Sequence, residues 1–266
     1  MRKSWMMGAV AAIALTVSVG VDAKPRHARH AHHAVAPTGM TIAQAVADTG
    51  RSADNVKRDV SRKPAELLGF LGLKPGMKVA DMFGGNHYWA EIFVPVVGPK
   101  GHVTIWNPAQ FYVDKTKTEL EAFAATRPTV SLLSSPFAAP NLPPAAFDFM
   151  LINLDYHDVY WSSEKYGIGK MDPAAWLKTA FAAMKPGGIV GIVDHVGPPG
   201  DTRAIVEKSH RIDPAVVRAD FEKAGFVLDG QSDMLRNTAD NLSVGVFDPL
   251  VRGKTDRFIY RFKKPR

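Results

Sequence analysis

The spacing of apolar and polar positions changes several times along this chain, and each change marks an element. Thr41 to Val46 and Ser52 to Val60 read as two short helices. Pro64 opens a third, Ala65 to Leu71, with Leu67, Leu68 and Leu71 on one face. A Pro75-Gly76 turn then feeds a short apolar strand, Lys78 to Met82, which runs into Gly84-Gly85. Beyond the glycines, Trp89, Ile92, Phe93 and Val96 recur at helical spacing until Gly98-Pro99-Lys100-Gly101 stops them.

The alternation continues. His102 to Trp106 is a strand ended by Asn107-Pro108, Tyr112 to Ala125 a helix, and Val130 to Leu133 a strand. Phe147 to Asn153 is apolar enough to be a buried central strand. Asp172-Pro173 caps a helix that runs through Met184, Lys185-Pro186-Gly187-Gly188 turns the chain, and Ile189 to Val193 is the fifth strand. Asp213-Pro214 starts a helix that Gly225 ends, and Phe226 to Asp229 is the sixth strand. Leu235 to Lys254 has no period, and the alternating Arg257 to Phe262 makes a last strand.

Strands alternating with helices predict an α/β fold with a doubly wound, mostly parallel seven-stranded sheet. The last strand follows a loop without a crossover helix, so it enters antiparallel. The three early helices form an N-terminal helical layer.

Composition changes this picture at one end only. Arg2 and Lys3, an apolar run from Trp5 to Val19, and Val21-Asp22-Ala23 before Lys24 match the three-part pattern of a secretory signal peptide over residues 1–23. About fifteen apolar residues are too few for a membrane anchor, which needs roughly twenty. Residues 24–40 are His-rich without an apolar period and read as a disordered linker; His27, His30, His32 and His33 are either a solvated tether or a trap for a divalent metal. The folded domain is then 41–266. The absence of cysteine fits an oxidising compartment, periplasmic or secreted.

Net charge is +7, and +6 once Arg2, Lys3 and Asp22 leave; Lys24, Arg26 and Arg29 supply half of the rest. No basic, aromatic-laced stripe is present, which argues against nucleic acid as a partner and for a small-molecule substrate. A complete Gly-x-Gly-x-x-Gly is lacking, and with the antiparallel last strand this disfavours a nicotinamide oxidoreductase.

Leu73 to Asp81 with its glycine turn, Phe147-Asp148, and Met184-Lys185-Pro186-Gly187-Gly188 together resemble the class I S-adenosylmethionine-dependent methyltransferase domain. Asp155-Tyr156-His157-Asp158, Asp194-His195, His210-Arg211-Ile212-Asp213 and Thr255-Asp256-Arg257-Phe258 are similar to a bacterial group of exported methyltransferases of unknown substrate. The resemblance spans roughly residues 41–264. It implies S-adenosylmethionine as cofactor, with Asp81, Gly84 and Gly85 at its methionine end, Asn107 at the ribose and Ser135 near the adenine. The chain departs from the family pattern where Phe83 and His87 replace glycines, where Asn107 replaces an acid, and at Ser134-Ser135-Pro136.

Methyl transfer to oxygen or nitrogen needs alignment and a base. Asp155, His157 and Asp158 follow the fourth strand and Asp194-His195 the fifth, so all lie at the carboxyl edge of the sheet, with His210 and Arg211 closing over them. A His beside a carboxylate suits general-base work, and the same residues also suit a divalent metal. Tyr156, Tyr160 and Trp161 are either an aromatic acceptor wall or packing, and Arg211 either binds substrate or pairs with Asp213 or Asp194. Replacing His157 or His195 by alanine is expected to leave folding intact. A non-catalytic periplasmic binding module on the same fold is the alternative function.

Overall fold

The computed structural model describes residues 39–266. The segments expected to be a signal peptide and, up to residue 38, a linker lie outside the described residues. Helices α1 (Ile42–Val46), α2 (Ala53–Val56), α3 (Asp59–Arg62) and α4 (Pro64–Leu71) form the N-terminal layer. The single helix expected over Ser52–Val60 is two one-turn pieces. Asp59 breaks it by turning inward, where its carboxylate takes two hydrogen bonds from Arg51 and one from the Tyr88 hydroxyl.

Strand β1 (Lys78–Met82), helix α5 (Tyr88–Val97), strand β2 (His102–Pro108), helix α6 (Asp114–Ala125) and strands β3 (Val130–Ser135) and β4 (Phe147–Asn153) follow as the apolar period predicts. Helix α7 (Pro173–Ala183) starts at a Pro in its first turn, with Asp172 accepting from the Ala174 N–H. Strand β5 is longer than expected, Met184–His195. The Lys185-Pro186-Gly187-Gly188 turn is a bulge inside it: partners jump from Phe147 and Met184 to Phe149 and Ile189, and Gly187 takes φ 80°. The released backbone groups bond across to Lys264.

Helix α8 (Thr202–Ser209) was not expected from the periodicity. Its mark in the sequence is Asp201, which accepts from the N–H groups of Arg203 and Ala204 just after Gly200. Helix α9 (Pro214–Lys223) and strands β6 (Val227–Ser232) and β7 (Arg257–Lys263) complete the chain.

The sheet order is β3-β2-β1-β4-β5-β7-β6, with β7 antiparallel to both neighbours and the other pairs parallel. Successive residues of β4 face opposite sides: Phe149 and Leu151 pack with α4, α5 and α6, Met150 and Ile152 with α7, α8 and α9. Both faces are therefore covered, and backbone approachable by a ligand is left at the carboxyl ends of the strands. Among the described residues no helix is long and apolar enough to cross a membrane.

Candidate functional site

The loop Phe83–His87 joins β1 to α5. Phe83 (φ 58°) and His87 (φ 46°) both sit in the left-handed region, where glycine would be free of strain. The backbone a glycine-rich loop would take is thus kept without the glycines. Tertiary contacts hold it: the Phe83 ring meets Trp106 edge-on at 4.9 Å and Phe137 at 5.2 Å, and His87 stacks on Phe123 at 4.8 Å.

Beneath this loop Asp81 is 1% exposed and neither carboxylate oxygen has a partner. Burial pushes its pKa up to about 7, with Arg62 and, more weakly, the Ala90 N–H opposing the rise; that N–H falls short of hydrogen-bond geometry. Asn107 is also buried with its amide nitrogen unpartnered. Ser135 is occupied: its Oγ accepts from Trp106 Nε1 at 2.8 Å and from the Asn141 N–H at 3.1 Å. A cleft of about 480 Å³ opens over the loop, lined by Gly84, Gly85, Trp89, Thr116, Arg62 and Asp155.

The histidines divide by charge. His157 is buried, and its Nδ1 lies 2.7 Å from Asp194 Oδ1 while its Nε2 lies 3.3 Å from Asp158. Burial opposes its charge, but Asp194 and Asp158 outweigh it and raise the pKa to about 9. Asp194 is saturated, because its two oxygens also accept the N–H groups of His157 and His195. It is a positioning residue. His195, only 8% exposed, is driven well below the ordinary histidine range by burial and then by His157, Arg257 and Arg211. Its Nδ1 meets Thr255 Oγ1 at 2.7 Å, and its Nε2 has no hydrogen-bond partner among the described residues.

Two-dimensional NMR of the side-chain nitrogens checks this division. His157 is expected to stay protonated until about pH 9 and His195 to stay neutral at pH 7. Titration of both near 6.5 would refute it.

Asp155, half-buried, has its pKa raised well above the carboxylate range by burial and then by Asp158 and Asp194. Its carboxyl group has no hydrogen-bond partner among the described residues and lines both the first cleft and a second of about 390 Å³. The second cleft also takes in His157, Asp158, His195, Phe247 and Arg257. Of the candidate metal-binding groups, His157, Asp158 and His210 bring ligand atoms within 4.8 Å of one another. They could hold a cation, but one arriving at neutral pH must displace the His157 proton. His210 sits in the left-handed region at the end of α8, with Nδ1 3.1 Å from Asp158.

The sequence-predicted catalytic set, Asp155, His157, Asp194, His195 and His210, is therefore brought together, and the predicted cofactor residues are not all equivalent. Gly84 and Gly85 line the first cleft, Asp81 and Asn107 lie outside its lining and buried, and Ser135 is tied up in packing. Arg211 pairs with neither Asp213 nor Asp194: it is fully buried in a two-pronged bond to Asp240. Tyr156 is core, and its hydroxyl and that of Tyr160 share Asp220 Oδ2.

Arg62, which the sequence does not single out, lies 4.2 Å from the Tyr88 ring centroid and lines both clefts. No local pattern announces it. Arg257 stands in the Thr255-Asp256-Arg257-Phe258 motif, but only the fold places it at the second cleft.

No family model and no curated protein matches the chain. Solved structures do match in fold. An S-adenosylmethionine-dependent methyltransferase from Aquifex aeolicus is 19% identical with TM-score 0.53, over 80% of this chain and 99% of that one. A 1,6-didemethyltoxoflavin-N1-methyltransferase from Burkholderia thailandensis, solved with 1,6-didemethyltoxoflavin and S-adenosylhomocysteine, is 16% identical with TM-score 0.51, over 80% of each chain. A possible exported protein from Bordetella parapertussis is 15% identical with TM-score 0.50, over 86% of this chain and 80% of that one. The chain has the Rossmann-like methyltransferase fold; at these identities the likeness extends to fold alone.

Proposed function

We propose that this protein is an exported S-adenosylmethionine-dependent methyltransferase acting on a small or medium acceptor. The observation that carries the reading is that two clefts meet at one wall, Arg62, Leu154 and Asp155. One opens on a glycine loop at a helix N-terminus and the other on an uncharged histidine. Group transfer needs two molecules held side by side in fixed orientation, and two sites with a common wall supply that.

The residues of the first cleft fit the cofactor. A Cβ at Gly84 would stand 2.6 Å from Ile105 Cγ2 and 2.9 Å from Asp81 Oδ2, so the backbone there lies as close to its surroundings as it can. Trp89 Nε1, on the lining of this cleft, is a buried donor without a partner among the described residues. Gly84, Gly85 and Trp89 would hold S-adenosylmethionine, which when bound supplies an electrophilic methyl group on a sulfonium.

His195 is the base of this proposal. With Nδ1–H donating to Thr255, its Nε2 lone pair takes the proton of an acceptor hydroxyl or amine. Asp194 fixes the backbone of that histidine and the ring of His157. Burial and the neighbouring Asp158 and Asp194 favour the neutral form of Asp155 at the wall, where a protonated carboxyl is a donor.

Calorimetric titration of the protein with S-adenosylmethionine and S-adenosylhomocysteine tests the reading. Micromolar affinity is expected, about 8 kcal/mol. Gly84→Ala should weaken it by tenfold or more, because the new methyl must displace Ile105 or Asp81. Folded protein that binds neither compound would favour the second reading, a non-catalytic periplasmic binding module, to which the non-glycine Phe83 and His87 lend weight. Export is tested by the mass of the protein recovered from the periplasm, which should begin at Lys24.

A further inference from the structure

The arginines of the second cleft are free in an unusual way. Arg211 is taken by Asp240, Arg236 by Asp256, and Arg261 by Asp229. Arg257 is 7% exposed, yet among the described residues its guanidinium has no carboxylate or carbonyl partner, and its Nε is buried unpaired. Its sequence neighbour Asp256 cannot serve, since both Asp256 oxygens are engaged by Arg236. A guanidinium carries five donors, and leaving them unsatisfied inside a protein is costly.

Arg257 lies on β7 opposite His195 of β5, which places the unpaired cation beside the free imidazole. Arg58 and Arg252, both exposed, stand at the same cleft, and Arg62 forms the wall toward the first one. Against these stand two carboxyl groups. Asp158 is committed to His157 and His210, which leaves Asp155 as the one uncommitted carboxyl group among four arginines. The cleft therefore has more cationic than anionic groups, and Asp256 and Asp240 act on Arg257 through space without a hydrogen bond to its guanidinium. Val246 and Phe247 add an apolar side, and Phe247 is 64% exposed although it is a large aromatic. A volume of about 390 Å³ falls in the range of small-molecule sites.

We propose that the second cleft binds an acceptor carrying an oxyanion, carboxylate or phosphate, on a small, partly apolar body, with Arg257 holding the anion and Arg58 and Arg252 drawing it in. The two oxygens of such a group match the guanidinium fork, and a low-dielectric floor strengthens the pairing. The anion would lie beside His195, so the nucleophilic atom must be on the same small molecule within a few bonds of it. Arg62 is left for the wall between the clefts, which keeps the assignment independent of any carboxylate on the cofactor. The inference rests on reading this cleft as the acceptor site.

The test is calorimetric titration of the full chain, without cofactor, using benzoate, inorganic phosphate and neutral benzamide at constant ionic strength. Saturable binding of benzoate or phosphate, with benzamide at least tenfold weaker, is expected. Benzoate above phosphate identifies a carboxylate on an apolar body, and the reverse order identifies a phosphate. Arg257→Gln should weaken the anion about tenfold and Arg257→Lys less, while S-adenosylmethionine affinity is unchanged. Arg252→Gln, on the surface and harmless to folding, should weaken the anion a few fold and flatten its salt dependence. Equal binding of benzoate and benzamide, or full anion affinity in both Arg257→Gln and Arg252→Gln, would overturn the proposal. Anion binding by a protein that ignores S-adenosylmethionine would sink the methyltransferase reading and leave the anion site standing.

Discussion

Asp81→Asn is expected to make the protein more stable, by up to about 4 kcal/mol at pH 7.5. The wild-type carboxyl is buried without a partner and titrates near 7 in the folded chain, against 3.8 when free. A carboxyl whose folded pKa is raised binds its proton more tightly folded than unfolded, so its favourable contribution is complete below pH 3.8 and lost as pH rises toward 7. The separation of those two values corresponds to about 4 kcal/mol. Asparagine has a similar shape, shares the lack of partners, and has no charge to desolvate. Urea unfolding at pH 7.5 and pH 4 measures the difference: the variant should gain at the higher pH, and the two proteins should converge at the lower. Equal stability at pH 7.5 would mean that Asp81 has partners absent from the described contacts. A variant that gains stability and binds S-adenosylmethionine less well would identify Asp81 as strain retained for the site.

Asp194→Asn should have the opposite sign and similar size, a loss of about 3–5 kcal/mol near pH 6. The substitution leaves a buried imidazole with Asp158, 3.3 Å from its Nε2, as its nearest remaining anion, and turns an amide NH₂ toward one of the two backbone N–H groups from which the carboxylate accepts. Here the folded pKa of the partner is the raised one: His157 moves from 6.5 to about 9, so the stabilisation is complete below 6.5 and fades as pH climbs through 9. The gap between wild type and variant should therefore narrow between pH 6 and pH 10. Adding His157→Gln to Asp194→Asn should recover part of the loss, since the uncompensated charge is then gone. A gap independent of pH would show that the pair contributes hydrogen bonds and no charge. The same pair corrects the expectation that His157→Ala leaves folding intact, because that change strands a fully buried carboxylate. His195, whose ring is held by one hydroxyl, remains the better position for a functional test.

Most of the sheet was legible because its signals are local. The apolar run of β4, the Asp-Pro starts of α7 and α9, and the loop-fed β7 each follow from a few consecutive residues whose burial, capping or connection length has one economical solution. Gathering Asp155, His157, Asp194, His195 and His210 at one edge followed in turn from the strand order, because every parallel strand delivers its carboxyl end to the same side.

What periodicity could not supply was the state of each group once gathered. The four residues of the β5 bulge read as a turn because their Pro-Gly-Gly chemistry is that of a turn, and only the cross-strand bonds to Lys264 show them inside a strand. Asp194 and His195 are adjacent in sequence, yet one is saturated and the other free. His157 is held as a cation and His195 neutral, although both are histidines beside acids. Arg211 and Arg257 look alike on the page, and Asp240, 29 residues beyond Arg211, claims that arginine and leaves Arg257 to the cleft. Burial and charge at a point are sums over neighbours brought from distant parts of the chain, so the sequence determined the framework and the roster of reactive groups. The tertiary structure alone decided which of them are paired, which are charged and which are left to meet a ligand.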